Sequence, residues 1–295
     1  MNFNETNTAE LDRELTPDEQ KEWNSLYASY RAGSLMSGEI MGIDSYSING
    51  GNDTKGAKGS RDSAQTLAAV IIPYRIKVII PENLLWENPD RIAKSATRNL
   101  LGAKIDFVIT EIDRENNFCI GSRVAALKIK RKKLLKSPPL AGDRIDCNVL
   151  AVGKKALLVE AGGFDLRLTQ IDLNYSMMSD LRLYYATGQS LTAVVKNYDK
   201  ETSRLTKISV RDAKTHPYEG VRKRHPINSR RTSIITGKYK GSIFCKLEND
   251  LDCMCNYSEF QNDEDFDIGS RVVIVIKAFD DNKKRVYGVI VSKWK

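Results

Sequence analysis

A segment of 27 residues that occurs three times without a gap constrains the fold of this 295-residue chain more than any other feature. The copies begin at Gly102, Gly188 and Gly269, which lie 86 and then 81 residues apart. Each copy carries an aspartate eleven residues after its glycine and has apolar residues at its fourth, seventh and eighth positions. A match this regular indicates an internal repeat of a small domain.

Each copy has the pattern of a β-hairpin. In the first, apolar residues at 105, 107 and 109 alternate with Lys104 and Asp106, which is the period of a half-buried strand. A polar run led by Asp113 turns the chain, and a second β-rich segment follows. Three more strand-like segments precede each hairpin. Five strands in about 70–80 residues suit a small closed Greek-key barrel, the OB-fold. We therefore predict an all-β protein of three tandem five-stranded OB-fold barrels with an N-terminal amphipathic helix.

The repeat also sets the predicted domain boundaries. We expect a flexible tail and helix (1–30), a first OB domain (31–127) with a mobile loop insertion at 44–66 and a short helix at 89–99, a basic linker (128–137), a second OB domain (138–214), a second basic linker (215–228) and a third OB domain (229–295).

The predicted N-terminal helix has a clear start signal. Thr16 is a suitable N-cap, Pro17 fits the first helical position, and acidic residues follow in the first turn. Trp23, Leu26, Tyr27 and Tyr30 recur at helical spacing before Gly33, which predicts a helix from about 17 to 31 docked on the first domain by its aromatic face.

The net charge of +8 is concentrated in the predicted linkers. Residues 1–30 have a net charge of −5 and the three predicted domains have +1, +2 and +2, whereas 128–137 alone has +6 and 215–228 has +2. The run KIKRKKLLK (128–136) is either a solvated tether or a segment that contacts phosphates, and RKRHP (222–226) has the same two interpretations. Charge on a linker attracts phosphate without recognising sequence.

The third domain resembles the S-one domain, the RNA-binding OB repeat of the large ribosomal protein of that name. The segments KGSIFCKLENDLDCMCNYSEF and GSRVVIVIKAFDDNKKRVYGVIVS follow the pattern of that family. The matching positions are Gly241, Phe244, Leu247, Ser258, Gly269, Asp280 and Arg285. Asn256 stands where the family has histidine. The second domain keeps Gly188, Asp199 and Arg204 but has Leu157 and Leu158 at the phenylalanine position, and the first has Phe118 in place of the arginine.

The resemblance implies single-stranded RNA binding on the face that carries Phe244. Such a surface needs aromatic rings for stacking and cations for phosphates. Tyr257 is expected on an adjacent strand, in one groove with Phe244; the alternative places Phe244 in the barrel core. The predicted RNA-binding residues are Phe244, Tyr257, Arg285, Lys246 and Tyr239 in the third domain, Arg204 and Arg167 in the second, and Lys130, Arg131, Lys132 and Lys133 in the linker.

Other classes of site are not expected. Cys253 and Cys255 alternate along a predicted strand, but the spacing of the five cysteines does not fit a four-ligand zinc site, and buried free thiols are the better interpretation. The sequence has no nucleophile–histidine–acid order and no phosphate-binding glycine loop, so we predict neither an enzyme nor a cofactor or metal. No apolar run reaches the length of a membrane span, and the odd number of cysteines with a polar, acidic N-terminus predicts a cytoplasmic protein.

Two functions follow. The first is a non-enzymatic single-stranded RNA-binding protein of the S-one type, whose setting by resemblance is translation, RNA handling or a bacteriophage equivalent, with mRNA or the ribosome as partner. The second is a protein-interaction or assembly scaffold of degenerate OB domains, in which the N-terminal helix docks on a protein partner.

Overall fold

The repeated hairpins lie in three five-stranded sheets in the computed structural model of the protein. The structure describes residues 15–47, 65–88, 94–176, 178, 180–239, 242–258 and 263–294. Its contacts divide the chain into two units, the first formed by 1–167 with 180–208 and the second by 168–179 with 209–295. Among the described residues, no helix is long and apolar enough to cross a membrane.

The first sheet is a closed barrel with the strand order β1-β2-β3-β5-β4. Its strands β3 and β5 pair in parallel, whereas β1 pairs antiparallel with β2 and β4, β2 with β3, and β4 with β5. The strands are β1 (Met36–Ser47), β2 (Gln65–Ile71), β3 (Lys77–Pro81), β4 (Lys104–Asp113) and β5 (Phe118–Ser122). The helices around them are α1 (Pro17–Ala32), α2 (Glu82–Leu85), α3 (Lys94–Arg98) and α4 (Arg123–Lys136).

The second sheet has the same strand order but is open. Its order is β10-β9-β6-β7-β8, which gives each strand the same neighbours as in the first barrel except at one place. The third strand of the sheet, β8, does not pair with the fifth, β10, although both are fully described. The expected closure is therefore not found. The strands are β6 (Arg144–Val152), β7 (Ala156–Ala161), β8 (Phe164–Thr169), β9 (Ser190–Asp199) and β10 (Arg204–Ser209), and α5 (Gln170–Leu173) follows β8.

The third sheet is again a closed barrel, in the order β11-β12-β13-β15-β14. It is preceded by α6 (Val221–Arg224) and consists of β11 (Arg230–Tyr239), β12 (Ser242–Lys246), β13 (Asp252–Tyr257), β14 (Arg271–Asp280) and β15 (Arg285–Lys293). Short 3-10 turns lie at Leu181–Leu183, Arg211–Ala213, Glu248–Asp250 and Asp263–Asp265.

The repeated residues set the same local backbone three times. Gly102, Gly188 and Gly269 all have a positive φ, of 79°, 80° and 95°, in the left-handed region that glycine adopts at little cost. The aspartate eleven residues later accepts backbone N–H groups of the following turn, as Asp113 does from Asn116 at 3.0 Å and Asp280 from Lys283 at 2.9 Å. A second positive φ follows at the equivalent residues Asn117, Ser203 and Lys284. The glycine–aspartate pattern therefore encodes the entry and the turn of each hairpin.

Helix α1 confirms the predicted capping and docking. Thr16 and Glu19 form a reciprocal capping box, and Gly33 ends the helix in the left-handed conformation. Trp23 and Leu26 are buried in the core of the first barrel. Tyr30 was expected on the same face but is half exposed, because the buried face of the helix includes fewer residues than the helical spacing predicted.

The ends of the predicted loop at 44–66 are β-structure. Residues 44–47 continue β1 and pair with 65–68 of β2, from Asp44 opposite Ala68 to Ser47 opposite Gln65. Residues 48–64 and 89–93 lie outside the described residues, so of the helix expected at 89–99 only α3 is described.

Residues 128–136 of the basic run are helical, as part of α4, contrary to the expected linker. Strand β5 ends at Ser122, whose hydroxyl caps α4 by accepting the N–H of Ala125 at 3.1 Å. The segment at 215–228 also contains a helical turn, α6, and its Val221 is buried in the core of the third barrel. Residues 168–179 and 209–214, placed by the sequence in the second domain, group with the third barrel.

Candidate functional site

The outer face of the third barrel carries the side chain that the family resemblance selected. Along β12, the core residues Ile243 and Cys245 flank Phe244, which is partly exposed. The register places Phe244 opposite Met254 on β13, and Met254 opposite Tyr287 on β15. A row of large side chains therefore crosses three adjacent strands outside the core.

This face opens into a pocket of about 440 Å³. The apolar lining comes from Phe244, Leu251, Met254 and Val286 in the third barrel and from Pro217 outside it. Four cationic residues, Arg211, Lys283, Lys284 and Arg285, and two carboxylate residues, Asp250 and Asp252, also line the pocket.

A further wall of the pocket is built from segments that precede the third sheet. The rings of Tyr175 and His216 pack with centroids 4.2 Å apart, and the guanidinium carbon of Arg211 lies 5.1 Å from the Tyr175 ring centroid. Both rings line the pocket. The pocket is therefore lined by aromatic groups from the barrel and from the segments before it, which can pack against a flat ligand.

Two contacts fix this wall to the β14–β15 turn. The Tyr218 hydroxyl donates to Asp281 Oδ1 at 2.6 Å, and Arg222 Nη2 donates to Asp281 Oδ2 at 2.6 Å. The backbone N–H of Tyr218 donates to His216 Nδ1 at 3.1 Å. Burial, followed by the charge of Lys284, lowers the pKa of His216 below its ordinary value, so this imidazole is neutral at pH 7.

The two carboxylates differ in their surroundings. Burial would raise the pKa of Asp250, but the hydrogen bond and charge of Lys246 outweigh it and hold that pKa below the usual range. Asn174 Nδ2 also donates to Asp250 at 3.4 Å. Asp252 lies on the same face as Met254, because successive residues of β13 alternate between the outer face and the core.

The predicted residues of the third domain therefore separate into groups. Phe244 and Arg285 line the pocket together. Lys246 reaches it only through its ion pair with Asp250, and Tyr239 is an exposed residue at the end of β11. Tyr257 does not line this pocket. It lies three residues after Met254, on the opposite face of β13, and its ring stacks on the buried Phe266 with centroids 5.2 Å apart.

Within the first unit, two of the four predicted RNA-binding residues on α4, Lys130 and Arg131, form ion pairs with carboxylates of the protein. Lys130 Nζ donates to Asp106 at 2.7 Å and also to Glu160. Burial opposes the charged ammonium, but these two carboxylates outweigh it and raise the pKa of Lys130. Arg131 donates to Gly163 O at 2.7 Å and to Glu87 at 2.9 Å. Lys132 and Lys133 are exposed, together with Lys128 and Lys136.

The remaining two predicted residues lie on the second sheet. Arg167 is exposed on β8. Arg204, at the start of β10, lines a cleft of about 550 Å³ with Arg131, Thr202 and Thr206. Its two cationic residues are matched by Glu87 and Asp165, so this cleft is less cationic than the pocket on the third barrel, which has four cationic residues and two carboxylates.

The same face of the first barrel is apolar. A groove of about 520 Å³ there is lined by Leu67, Ala68, Ile79, Pro81, Phe118 and Ile120, with Asn116, Asn117, Thr66 and Lys77 at its polar positions. Among the described residues, no group of three or more histidine, cysteine, aspartate or glutamate side chains is arranged to hold a metal ion.

Sequence reasoning found only Phe244 and Arg285 of the thirteen residues that line the pocket. Lys283 and Lys284 occupy the basic turn of the family pattern and could have been included. Met254 could have been found from its pairing with Phe244. Tyr175 and His216 lie in segments outside the repeat, where no pattern marked them.

The comparisons with known proteins are consistent with a distant relationship to a ribosomal protein. The chain is 21% identical over 276 residues to the small ribosomal subunit protein bS1 of Neisseria meningitidis serogroup B and 19% identical over 276 residues to that of Coxiella burnetii. These matches cover 90% of this chain, but only 44% and 45% of the two relatives. The chain thus spans less than half the length of the curated relatives it matches.

Other comparisons add little. No family model matches the chain. A multidomain protein with nucleic acid binding domains from Streptococcus pneumoniae aligns over 88% of this chain and 73% of its own, at 11% identity and a TM-score of 0.21. That score is too low to support a conclusion about fold or function.

Proposed function

We propose that the protein is a non-enzymatic, single-stranded RNA-binding protein built from three OB domains of the S-one type. Two kinds of observation support this proposal. The first and third sheets are closed five-stranded barrels with equivalent strand orders, and the second sheet has the same neighbouring strands without the closure. The chain is also distantly similar to bS1.

One observation carries the proposal: Phe244 is partly exposed on the outer face of the third barrel, in a pocket with four cationic residues. A base can stack on a ring in this position, while lysine and arginine side chains neutralise the phosphates on either side of it. In the first unit, Lys132 and Lys133 on the exposed face of α4 are available for further phosphate contacts, whereas Lys130 and Arg131 bind carboxylates of the protein.

The setting we propose is translation or RNA handling, with mRNA or the ribosome as partner, in a cell or a bacteriophage. The curated relatives are ribosomal proteins, which supports the first part of this statement. A protein partner of α1 would bind its outer side, which includes the exposed Tyr30, because Trp23 and Leu26 are buried.

Replacement of Phe244 by alanine tests the function. Loss of the stacking ring should reduce affinity for a mixed-sequence single-stranded RNA by about 1–3 kcal/mol, measured by fluorescence anisotropy. The melting temperature should change little, since the ring lies outside the core. Tyr257→Ala is the matched control: it removes a ring packed on Phe266, so it should lower the melting temperature and leave RNA affinity of the folded protein unchanged. Unchanged affinity in a folded Phe244→Ala protein would contradict the proposal.

The apolar groove of the first barrel favours the scaffold hypothesis for that domain. A face lined by Leu67, Ile79 and Ile120 offers little to phosphate and much to an apolar side chain of a protein. If Ile79→Ala and Phe244→Ala both leave RNA binding intact, the scaffold function becomes the better explanation for the whole chain.

A further inference from the structure

The turn between β14 and β15 is fixed to the segment that precedes the third barrel. It consists of residues 281–284, because the last residue of β14 pairs with the first residue of β15. Asp281 Oδ1 accepts from the Tyr218 hydroxyl and Asp281 Oδ2 accepts from Arg222 Nη2, each at 2.6 Å. Both carboxylate oxygens are therefore engaged by side chains from outside the sheet, although the Asp281 side chain is exposed.

The partners of Asp281 are themselves anchored on the barrel. Tyr218 packs against its core, and the nearby Val221 is buried in that core. The guanidinium carbon of Arg222 lies 5.1 Å from the ring centroid of Phe279 on β14. Because both donors are held in place, their hydrogen bonds to Asp281 restrain the turn.

The restrained turn carries cations of the pocket. Lys283 and Lys284 belong to it, Arg285 follows directly, and all three line the pocket together with Phe244. Their like charges repel one another. Lys284 also has a positive φ of 49°, which residues other than glycine adopt only rarely. A contact from outside the turn therefore helps to keep these cations in one arrangement.

The first barrel uses the same repeat position for docking, but its turn has no lysine. The residue after the repeated aspartate is Arg114 there, and its guanidinium carbon lies 4.0 Å from the ring centroid of Trp23 on α1, the helix that precedes this barrel. Lys200 has this position in the second copy and is exposed. In the third copy alone, the turn that is docked in this way carries two lysines.

We propose that Asp281 is a positioning residue, which holds the turn so that its two lysines reach the phosphates beside a base stacked on Phe244. The inference rests on the proposed function and adds a residue that does not itself contact RNA. A carboxylate near cations could instead act through its charge alone, and the two roles predict opposite effects. As a positioning group Asp281 strengthens RNA binding, whereas as a charge alone it weakens binding by repelling phosphate.

Two variants of the full chain separate these roles. Asp281→Asn removes the charge and leaves one acceptor oxygen for the two donors, whereas Tyr218→Phe removes one hydrogen bond without changing the charge. Binding of a mixed-sequence single-stranded RNA is measured by fluorescence anisotropy at several salt concentrations. Both variants should bind more weakly, with a loss of about 0.7 in the salt slope and about fourfold in affinity at about 0.15 M salt for each phosphate contact that is lost.

Two further measurements separate positioning from a loss of stability. The melting temperature should change little, because exposed ion pairs contribute little to stability. NMR relaxation of the backbone amides of Lys283 and Lys284 should show a more mobile turn in both variants without RNA. Glu264→Gln is the control: it removes a carboxylate that is exposed and does not line the pocket, and it should leave the salt slope and the turn unchanged.

The outcomes for the inference and for the proposed function are distinct. Tighter RNA binding by Asp281→Asn would show that the carboxylate acts only through its charge, and would overturn the inference. Unchanged affinity in a folded Tyr218→Phe protein would also overturn it and would leave RNA binding intact. Failure of the wild-type protein to bind the RNA would refute the proposed function itself.

Discussion

The first barrel has Val70, Ile79 and Ile120 in the row of paired residues where the third barrel has Phe244, Met254 and Tyr287. Val70 is buried, whereas Phe244 is partly exposed. The turns before the last strand differ in the same way. Asn116, Asn117 and Phe118 line the apolar groove of the first barrel, and Lys283, Lys284 and Arg285 line the pocket of the third at equivalent repeat positions.

This difference shows that one backbone carries two kinds of surface. Asn117 and Lys284 share a positive φ, and both turns are held by the aspartate of the repeat. The fold therefore fixes where a ligand can approach, while a few outward side chains decide whether that ligand is apolar or anionic. The comparison can be tested by disrupting one barrel and following the other.

The largest expected effect comes from the core of the first barrel. Phe107 is completely buried, so Phe107→Ala should reduce the free energy of unfolding of the first unit by about 3–5 kcal/mol. Hydrogen exchange measured during denaturation would show which unit has lost stability. Phe118→Ala removes a ring from the surface groove and should cost much less. RNA affinity should survive both changes, and a parallel loss of affinity would mean that the first barrel contributes to binding.

A slightly smaller effect is expected from α4, which follows the first barrel. Lys130→Ala leaves Asp106 and Glu160 without their shared cation, which should cost about 3 kcal/mol, the lower end for a broken buried ion pair, because the lysine is about one-fifth exposed. Lys132→Ala on the exposed side of the same helix should change stability by less than about 0.5 kcal/mol. Equal effects of the two variants in urea denaturation would contradict the pairing of Lys130.

Lys130 also illustrates what the sequence could not reveal. The prediction treated residues 128–137 as a linker because charge was counted along the chain, whereas Asp106 and Glu160 lie 24 and 30 residues away. A run of like charge looks solvated until its distant partners are known. The helix start at Ser122 had a recognisable cap, but the strand pattern of the repeat was extended through it.

The hairpins, by contrast, were predictable because their signals are local. A glycine that needs a positive φ and an aspartate that binds the following N–H groups act within a few residues. Phe244 was found through a family pattern, and the alternation of β12 explains its outward position. Tyr175 and His216 meet only after two separate segments pack together, and neither segment repeats.

A third prediction converts one turn into the other. Lys283→Asn with Lys284→Asn gives the third barrel the Asn-Asn turn of the first, and asparagine tolerates the positive φ of position 284. If both lysines contact phosphate, the salt dependence of RNA binding should weaken by about 0.7 in slope for each lost contact. Lys277→Gln, an exposed change outside the pocket, serves as the control. An unchanged slope in the double variant would mean that the turn does not contact RNA.

The smallest expected effect is a dependence of stability on pH that belongs to the second unit. The chain has two histidines, His216 and His225, and both lie in that unit. Burial lowers the pKa of each, with Lys284 adding to the effect at His216 and Arg231 at His225.

The sign of this dependence follows from where the proton binds more readily. An unfolded histidine has a pKa of about 6.5, so below that pH the unfolded chain takes up protons that the folded unit resists. The stability from these groups is complete above about pH 7 and falls as the pH drops through 6.5 towards the folded values. Histidine resonances followed by NMR should titrate below 6.5 in the folded protein, and His216→Gln should reduce the loss of stability on acidification. A loss in the first unit over the same pH range, where there is no histidine to protonate, would show that other groups cause it.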